Sequence, residues 1–312
     1  MGKHVIVGAG QIGSQLAELL AGKGHEVVVV TRSGSGPAVP RVSRVKADAR
    51  DAARLTRVAA GADALYNCAN PPYHRWPQDW PPIANALLAA AEASGAVLAI
   101  MGNLYGYGPV DRPMTEDLPL ASAGTKGRVR ARMWADALAA HKAGRLRATE
   151  LRGSDFFGPG MTDQSIFGDR FLAPVLAGRT ARIPADPDQP HSLTYLPDVA
   201  RALATAATDE RAWGRPWHVP TSPALTIRQM AERVAALGGA PSPRVAAVPH
   251  WMMRAAGLFS PLLRELEETR YQFVRPFVVD SSAFETTFGV PPTPMDEALK
   301  ETIAWWRDAK AA

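Results

Sequence analysis

The chain opens on a short apolar run, His4-Val5-Ile6-Val7, enters a stretch where Ile12, Leu16, Leu19 and Leu20 share one helical face, and then gives a second apolar run, Val27 to Val30. Brief unbroken apolar runs mark strands buried on both faces, and the wider spacing marks an amphipathic helix. The alternation repeats. It predicts a third strand over 42–48, a helix over 51–60, a fourth strand over 64–70, a helix over 83–94 stopped by Gly95, and a fifth strand over 96–101. Pro71-Pro72-Tyr73-His74-Arg75-Trp76-Pro77 is expected as an extended loop, because proline disfavours helix at itself and at its predecessor. A basic helix runs from Thr125 to near Gly144, and a sixth strand covers 147–151. Strands alternating with helices in this way predict a parallel sheet covered on both faces.

Beyond Gly160 the rhythm loosens. A helix is predicted near 167–178, a short strand over 181–184, a helix after Asp198, a strand over 216–220, and a helix over 227–237 capped by Thr226. Residues 249–273 read as mostly helical, and 296–307 as an amphipathic helix bearing Trp305 and Trp306.

Composition narrows the class. With 46% hydrophobic and 21% charged residues among 312, the chain is an ordinary globular protein with ample core material. The net charge of +5 is spread among acidic residues without a long basic block, which argues against nucleic acid as a partner. The single cysteine, Cys68, excludes an internal disulfide and reads as a buried inert thiol. The seven histidines show no zinc-type spacing, so no metal site is expected. No signal peptide precedes the first strand and no run approaches about 18 apolar residues, which argues against a membrane and points to the cytoplasm. A small-molecule substrate is the expected partner, and a homodimer is an assembly the chain could adopt.

The chemistry starts where the first strand meets the first helix. Gly8-Ala9-Gly10-Gln11-Ile12-Gly13 between a strand and a helix is the fingerprint of a dinucleotide-binding turn, and the second strand closes a unit of about 30 residues. Gly8 permits the tight turn, Gly10 leaves the backbone open to a pyrophosphate, and Gly13 lets helix and strand pack closely. The amides of the new helix, at Gln11 and Ile12, hold the phosphate charge. The fold class is therefore α/β, a Rossmann-type doubly wound parallel sheet with a smaller mixed C-terminal substrate domain. Residues 1–160, with about 190–215 returning to them, form the dinucleotide-binding domain, and 161–312 form mainly the substrate-binding region.

The end of the second strand suggests which dinucleotide. An NAD site wants a carboxylate there for the ribose 2′-hydroxyl, but the chain offers Thr31, Arg32 and Ser33. A guanidinium flanked by two hydroxyls suits a 2′-phosphate, so NADP(H) is expected over NAD(H); the competing reading is that Arg32 is a solvated surface charge. Asp48, at the edge of the third strand, is assigned to adenine contact or, alternatively, to a helix N-terminal turn. Ala69 and Asn70 after the fourth strand, and Asn103 after the fifth, complete the expected cofactor contacts.

Several pieces together resemble the extended short-chain dehydrogenase/reductase superfamily of the NAD(P)-dependent epimerase/dehydratase type. They are the glycine turn, Tyr107-Gly108, Leu151-Arg152 with Gly158-Pro159, and Asp198-Val199-Ala200-Arg201-Ala202. The resemblance implies a Rossmann domain, a small substrate domain, and hydride chemistry at a carbon bearing oxygen or nitrogen. Departures stand beside the matches. Val7 occupies the position of the first expected glycine, and Asn103 the position of a Ser or Thr. Lys126 and Arg130 stand where the resemblance expects the Tyr and Lys of a Tyr-x-x-x-Lys motif.

That replacement changes the catalytic acid. An arginine stays charged and cannot shuttle protons, so Arg130 is assigned to binding ribose or an anionic group. Tyr105 is the nearest remaining phenol and Lys126 the cation beside it, which makes Tyr105 the expected acid; the alternative is that Tyr105 packs the loop and Lys126 is solvated. On the substrate side, the resemblance places Asp155 where an Asn touches substrate and His191 where an Arg binds diphosphate, which argues against a nucleotide sugar. Tyr73, Trp76, Phe156, Phe157, Phe167, Trp251 and Met252 are candidate walls for an apolar or aromatic molecule, although each taken alone reads more readily as core. The leading expectation is an NADPH-dependent reductase acting on a carbonyl, imine or activated alkene. The alternatives are a redox-neutral epimerase, isomerase or lyase on the same fold, and a non-catalytic NADP(H)-sensing regulator.

Overall fold

The apolar run at the amino terminus forms β1 (Lys3–Val7) in the computed structural model of the protein, which describes residues 1–162 and 165–311. After it come α1 (Gln11–Gly22), β2 (Glu26–Thr31), β3 (Val42–Lys46), α2 (Ala52–Ala59), β4 (Ala64–Asn67), α3 (Trp76–Ser94), β5 (Val97–Asn103), α4 (Thr125–Lys142) and β6 (Ala148–Gly153). The chain continues through β7 (Asp155–Phe157), α5 (Asp169–Leu176), β8 (Thr180–Ile183), β9 (Pro190–His191), β10 (Leu193–Tyr195), α6 (Leu196–Thr208) and β11 (Pro216–His218). Then follow β12 (Leu225–Thr226), α7 (Ile227–Gly238), β13 (Arg244–Ala247) and α8 (His250–Gly257), and a last long helix covers Met295–Ala311. The chain forms two units. The first comprises Met1–Gly108, Pro119–Gly153 and Val199–Val219, and the second comprises Pro109–Leu118, Ser154–Asp198 and Pro220–Ala312.

The first unit is built on a seven-stranded sheet in the order β11-β6-β5-β4-β1-β2-β3, with every pair parallel. This is the expected doubly wound α/β fold. Strand order reverses between β1 and β4, which opens a crevice at their carboxyl ends, the place where such sheets bind ligands. The register there sets Val5 beside both Val28 and Leu65. These apolar residues are buried, as parallel strands covered on both faces require.

The loop predicted over 71–77 ends early. A single turn at Tyr73–Arg75 leads straight into α3 at Trp76, seven residues before the expected start at Ile83. Pro77 sits in the first turn, where no amide hydrogen is needed and its fixed φ already suits a helix. Trp76, Trp80, Ile83 and Leu87 then form a buried stripe at helical spacing. That burial carries the helix through Pro81 and Pro82, which lie inside it.

At the opposite, amino-terminal edge of the sheet, His4 is buried between Tyr66, whose hydroxyl lies 3.0 Å from Nδ1, and His25, whose Nδ1 lies 3.2 Å from Nε2. Burial, reinforced by repulsion from His25 and only partly opposed by Asp63, pulls the His4 pKa down to about 4 from 6.5. A histidine kept neutral in the fold but protonated in the unfolded chain stabilises above pH 6.5 and loses that contribution as pH falls to about 4. Stability should drop by on the order of 3 kcal/mol across this window through His4 alone. Urea unfolding at pH 7 and pH 4.5 checks it: the difference between the two should shrink in His4→Gln, and an equal difference in both proteins would remove His4 as the cause.

The second unit holds three two-stranded pairings: β7 with β10 in parallel, β8 with β13 in parallel, and β9 with β12 antiparallel. Its core gathers Phe171 and Val175 of α5, Ile227 and Val234 of α7, and Leu299 of the last helix. Thr226 caps α7 in a reciprocal capping box with Gln229.

Candidate active site

At the end of β1 the backbone turns at Gly8 with φ +104° and runs against the end of β4; a Cβ there would stand 2.6 Å from the Cys68 carbonyl oxygen. A Cβ on Gly13 would stand 2.0 Å from the Gly8 carbonyl oxygen, so both glycines are required by the packing of turn, helix and strand. Gly10 differs: a Cβ would meet nothing within 4 Å. It lines an open cradle at the N-terminus of α1, a helix with no side-chain cap and no acid in its first turn. The amides following Gly10, at Gln11 and Ile12, therefore present an uncompensated positive dipole end that fits a pyrophosphate. Beside the turn, burial pushes the Cys68 thiol up to about 12, which leaves it unreactive.

Past β2, Arg32 and Ser33 are exposed and Arg32 makes no hydrogen bond among the described residues. Thr31 Oγ1 donates to the Ser35 carbonyl at 2.9 Å, and Ser33 and Ser35 hydroxyls pair at 2.8 Å. Asp48 lies just past β3 and is engaged by Arg50 through two oxygens at 2.6 to 3.1 Å, which hold its carboxyl down at about 2. Ala69 and Asn70 follow β4, where Asn67 Oδ1 accepts from the Ala69 amide at 3.3 Å. Asn103 closes β5, and its Oδ1 accepts from the Tyr105 amide at 3.2 Å, fixing the start of the loop that carries Tyr105.

The Tyr105 hydroxyl lies 3.0 Å from that of Tyr73, which arrives from the turn after β4. The two phenols come together because β4 and β5 are neighbours in the sheet. Tyr105 also stacks on Trp76, with ring centroids 6.0 Å apart. From α4, Lys126 is 2% exposed with its ammonium 5.9 Å from the centre of the Tyr73 ring. One helical turn later, the Arg130 guanidinium lies 4.6 Å from the Trp76 ring and 4.4 Å from the Trp80 ring and donates to the Met101 carbonyl at 3.2 Å. Burial pulls this guanidinium down to about 10, offset in part by Glu150, Tyr73 and Tyr105; it stays charged near neutrality. Trp76, a candidate substrate wall, is fully buried beneath Arg130. The pairing of Tyr73 with Tyr105 and the Trp80 contact were invisible in the sequence, although the Trp76/Trp80 spacing of four was a signal for the helix that supplies the indoles.

A second buried polar chain lies in the same unit. Glu150 accepts from Arg152 Nε at 2.7 Å, Arg152 donates to the Tyr107 hydroxyl at 2.7 Å, and that hydroxyl lies 2.8 Å from His218 Nε2. Arginine can only donate, so Tyr107 accepts from it. The chain ties the loop after β5 to β6 and β11, and Tyr107 is thereby a fixed structural residue.

In the second unit, β7 and β9 place Asp155 Oδ2 2.8 Å from His191 Nε2, while His191 Nδ1 lies 3.0 Å from the Gln272 carbonyl oxygen. Phe156 is half-buried beside Asp155, whereas Phe157 and Phe167 are packed into the core of the unit, Phe157 against Tyr195. Trp251 and Met252 are exposed on α8, Trp251 at 70%.

A seven-stranded doubly wound sheet with a glycine turn at its switch point defines a Rossmann fold of the extended short-chain dehydrogenase/reductase type. The model of the NAD dependent epimerase/dehydratase family matches residues 4–219, and the chain belongs to that family of enzymes. No curated protein matches it by sequence. Among solved structures it is similar to a UDP-N-acetylglucosamine 4-epimerase from Methanobrevibacter ruminantium in complex with UDP-N-acetylmuramic acid, with 17% identity, 99% of each chain covered and a TM-score of 0.81. It is also similar to dTDP-glucose 4,6-dehydratase from Bacillus anthracis in complex with NAD, with 16% identity, 100% and 98% covered and a TM-score of 0.79. UDP-glucose 4-epimerase from Thermotoga maritima with UDP-glucose gives 18% identity, 99% of each chain and a TM-score of 0.78. Among the described residues no helix is long and apolar enough to cross a membrane.

Proposed function

We propose that the protein moves a hydride between a nicotinamide dinucleotide, held at the Gly8–Gly13 turn, and an oxygen-bearing carbon of a small substrate, with Tyr105 moving the accompanying proton. The observation that carries this reading is the Tyr73–Tyr105 hydroxyl pair at 3.0 Å, flanked by the buried Lys126. When bound, the nicotinamide supplies or takes the hydride. Everything else falls to the chain. Gln11 and Ile12 amides hold the pyrophosphate, and Asn103 orients the Tyr105 loop. Lys126 and Arg130 place basic groups beside the phenols. Tyr73 exchanges the accompanying proton with Tyr105. Arg130, enclosed by two indoles, acts through its charge.

Membership of the family favours a redox-neutral cycle, in which the coenzyme is returned to its starting state, as in an epimerase or dehydratase. Net NADPH-dependent reduction of a carbonyl, imine or alkene is the second reading, favoured by Arg32 where an NAD site would carry a carboxylate. Following NADPH absorbance with substrate present separates them: net reduction consumes coenzyme in step with product, and a redox-neutral cycle leaves it constant. A non-catalytic sensor would have no use for a phenol pair under two cations. The cytoplasm is the compartment that fits a soluble-coenzyme reaction of this kind.

Arg32 and Ser33 support NADP(H) as the coenzyme, whereas the similar dehydratase was solved with NAD. Replacing Arg32 by Ala should weaken NADPH binding about 10- to 100-fold and leave NADH nearly unchanged, the size of one charge-assisted contact. Equal effects on both coenzymes in a fluorescence titration would assign the site to NAD(H).

A further inference from the structure

We propose that the second unit carries a receptor for an uncharged hydroxyl group of a small ligand, built on Asp155 and His191, and that this pair turns phosphorylated ligands away. The inference is drawn from the second unit by itself and is independent of the hydride-transfer reading. His191 Nδ1 faces the Gln272 carbonyl oxygen at 3.0 Å; a carbonyl only accepts, so this nitrogen carries a hydrogen. Nε2 faces Asp155 Oδ2 at 2.8 Å. A bare ring lone pair against a carboxylate would repel it, so one proton lies between them. The pair is then neutral as a whole, whichever partner holds that proton.

Two consequences follow for a ligand. Both ring nitrogens of His191 are spent, and Phe273 and Phe277 stack on the ring with centroids at 5.3 Å, so no imidazole N–H remains for an incoming anion. Asp155, by contrast, is 26% exposed, and its Oδ1 has no hydrogen-bond partner among the described residues. The open position is thus an acceptor in a neutral setting. A hydroxyl can donate to it. A phosphate ionised near neutral pH brings negative charge and acceptor oxygens, and this pair offers it neither a cation nor a donor.

The test uses the full chain, with the His191 ring signals assigned by comparison with His191→Gln in nitrogen-15 NMR. Benzyl alcohol, benzyl phosphate and UDP are the probes, each added with dinucleotide present so that the glycine turn is occupied. The alcohol should shift the His191 signals in a saturable way, and the two phosphorylated probes should leave them unmoved. In Asp155→Asn/His191→Arg, which carries one uncompensated positive charge, UDP should bind at least about tenfold more tightly than in the unaltered protein. A larger response of the unaltered protein to UDP or benzyl phosphate than to the alcohol would overturn the proposal. These readouts need no turnover. Discrimination without any coenzyme binding would sink the hydride-transfer reading and spare the receptor, and coenzyme binding without discrimination would do the reverse.

Discussion

Tyr105→Phe should lower turnover by about 100-fold or more while leaving coenzyme affinity within about twofold, because it removes the proton donor and keeps the ring. The phenyl ring keeps its stacking on Trp76, and the lost hydroxyl contact to Tyr73 should cost about 1 kcal/mol of stability. Tyr73→Phe should cost less, about tenfold, since Tyr105 retains its own proton and loses only the partner that resupplies it. Steady-state kinetics with the coenzyme Kd measured separately decides the matter. A Tyr105→Phe protein with undiminished turnover would assign proton transfer to another group, and a parallel fall in coenzyme affinity would make Tyr105 a packing residue.

The glycine turn offers the second large effect, with an internal control. Gly10 has a backbone that any residue adopts, with φ −72° and ψ −171°, and its Cβ position is open on all sides. Gly10→Ala should therefore fold with unchanged stability yet lose dinucleotide affinity by about 100-fold, since only a bound pyrophosphate would meet the new methyl group. Gly13→Ala should behave oppositely. Its methyl group would stand 2.0 Å from the Gly8 carbonyl, so helix and strand must move apart at a cost of about 1 to 3 kcal/mol before any ligand is considered. Calorimetry on both variants, with and without coenzyme, reads the contrast. If Gly10→Ala bound dinucleotide as tightly as the unaltered protein, the cradle would not be the binding site.

What could be read from the sequence was local. The turn after β1, the α1 stripe and the parallel alternation all follow from residues within one helix or strand of each other. Lys126 and Arg130 share a face because they are one turn apart on α4. The proton-transfer pair was harder to see, because Tyr73 and Tyr105 are 32 residues apart and meet only through the adjacency of β4 and β5. Asp155 and His191, 36 apart, likewise depend on how β7 and β9 are placed. Trp76 and Phe157, candidate walls more readily read as core, are buried in the cores of their units, and Trp251 is exposed on α8. Side-chain type reports size and polarity; which face of an element is covered is decided by partners distant in the chain. The proline-rich stretch misled for a related reason, since burial of Trp76 and Trp80 outweighs the amide bonds that Pro81 and Pro82 cannot make.

The central claim is that one unit grips a nicotinamide dinucleotide by its amino-terminal turn and presents Tyr105 to the reacting carbon. A crystal structure grown with NADPH tests it most directly. The pyrophosphate is predicted within about 3 Å of the Gln11 and Ile12 amides, with the nicotinamide ring on the Tyr105 side of the sheet edge. Coenzyme absent from the turn at saturating concentration, or bound with its nicotinamide turned away from Tyr105, would contradict the account.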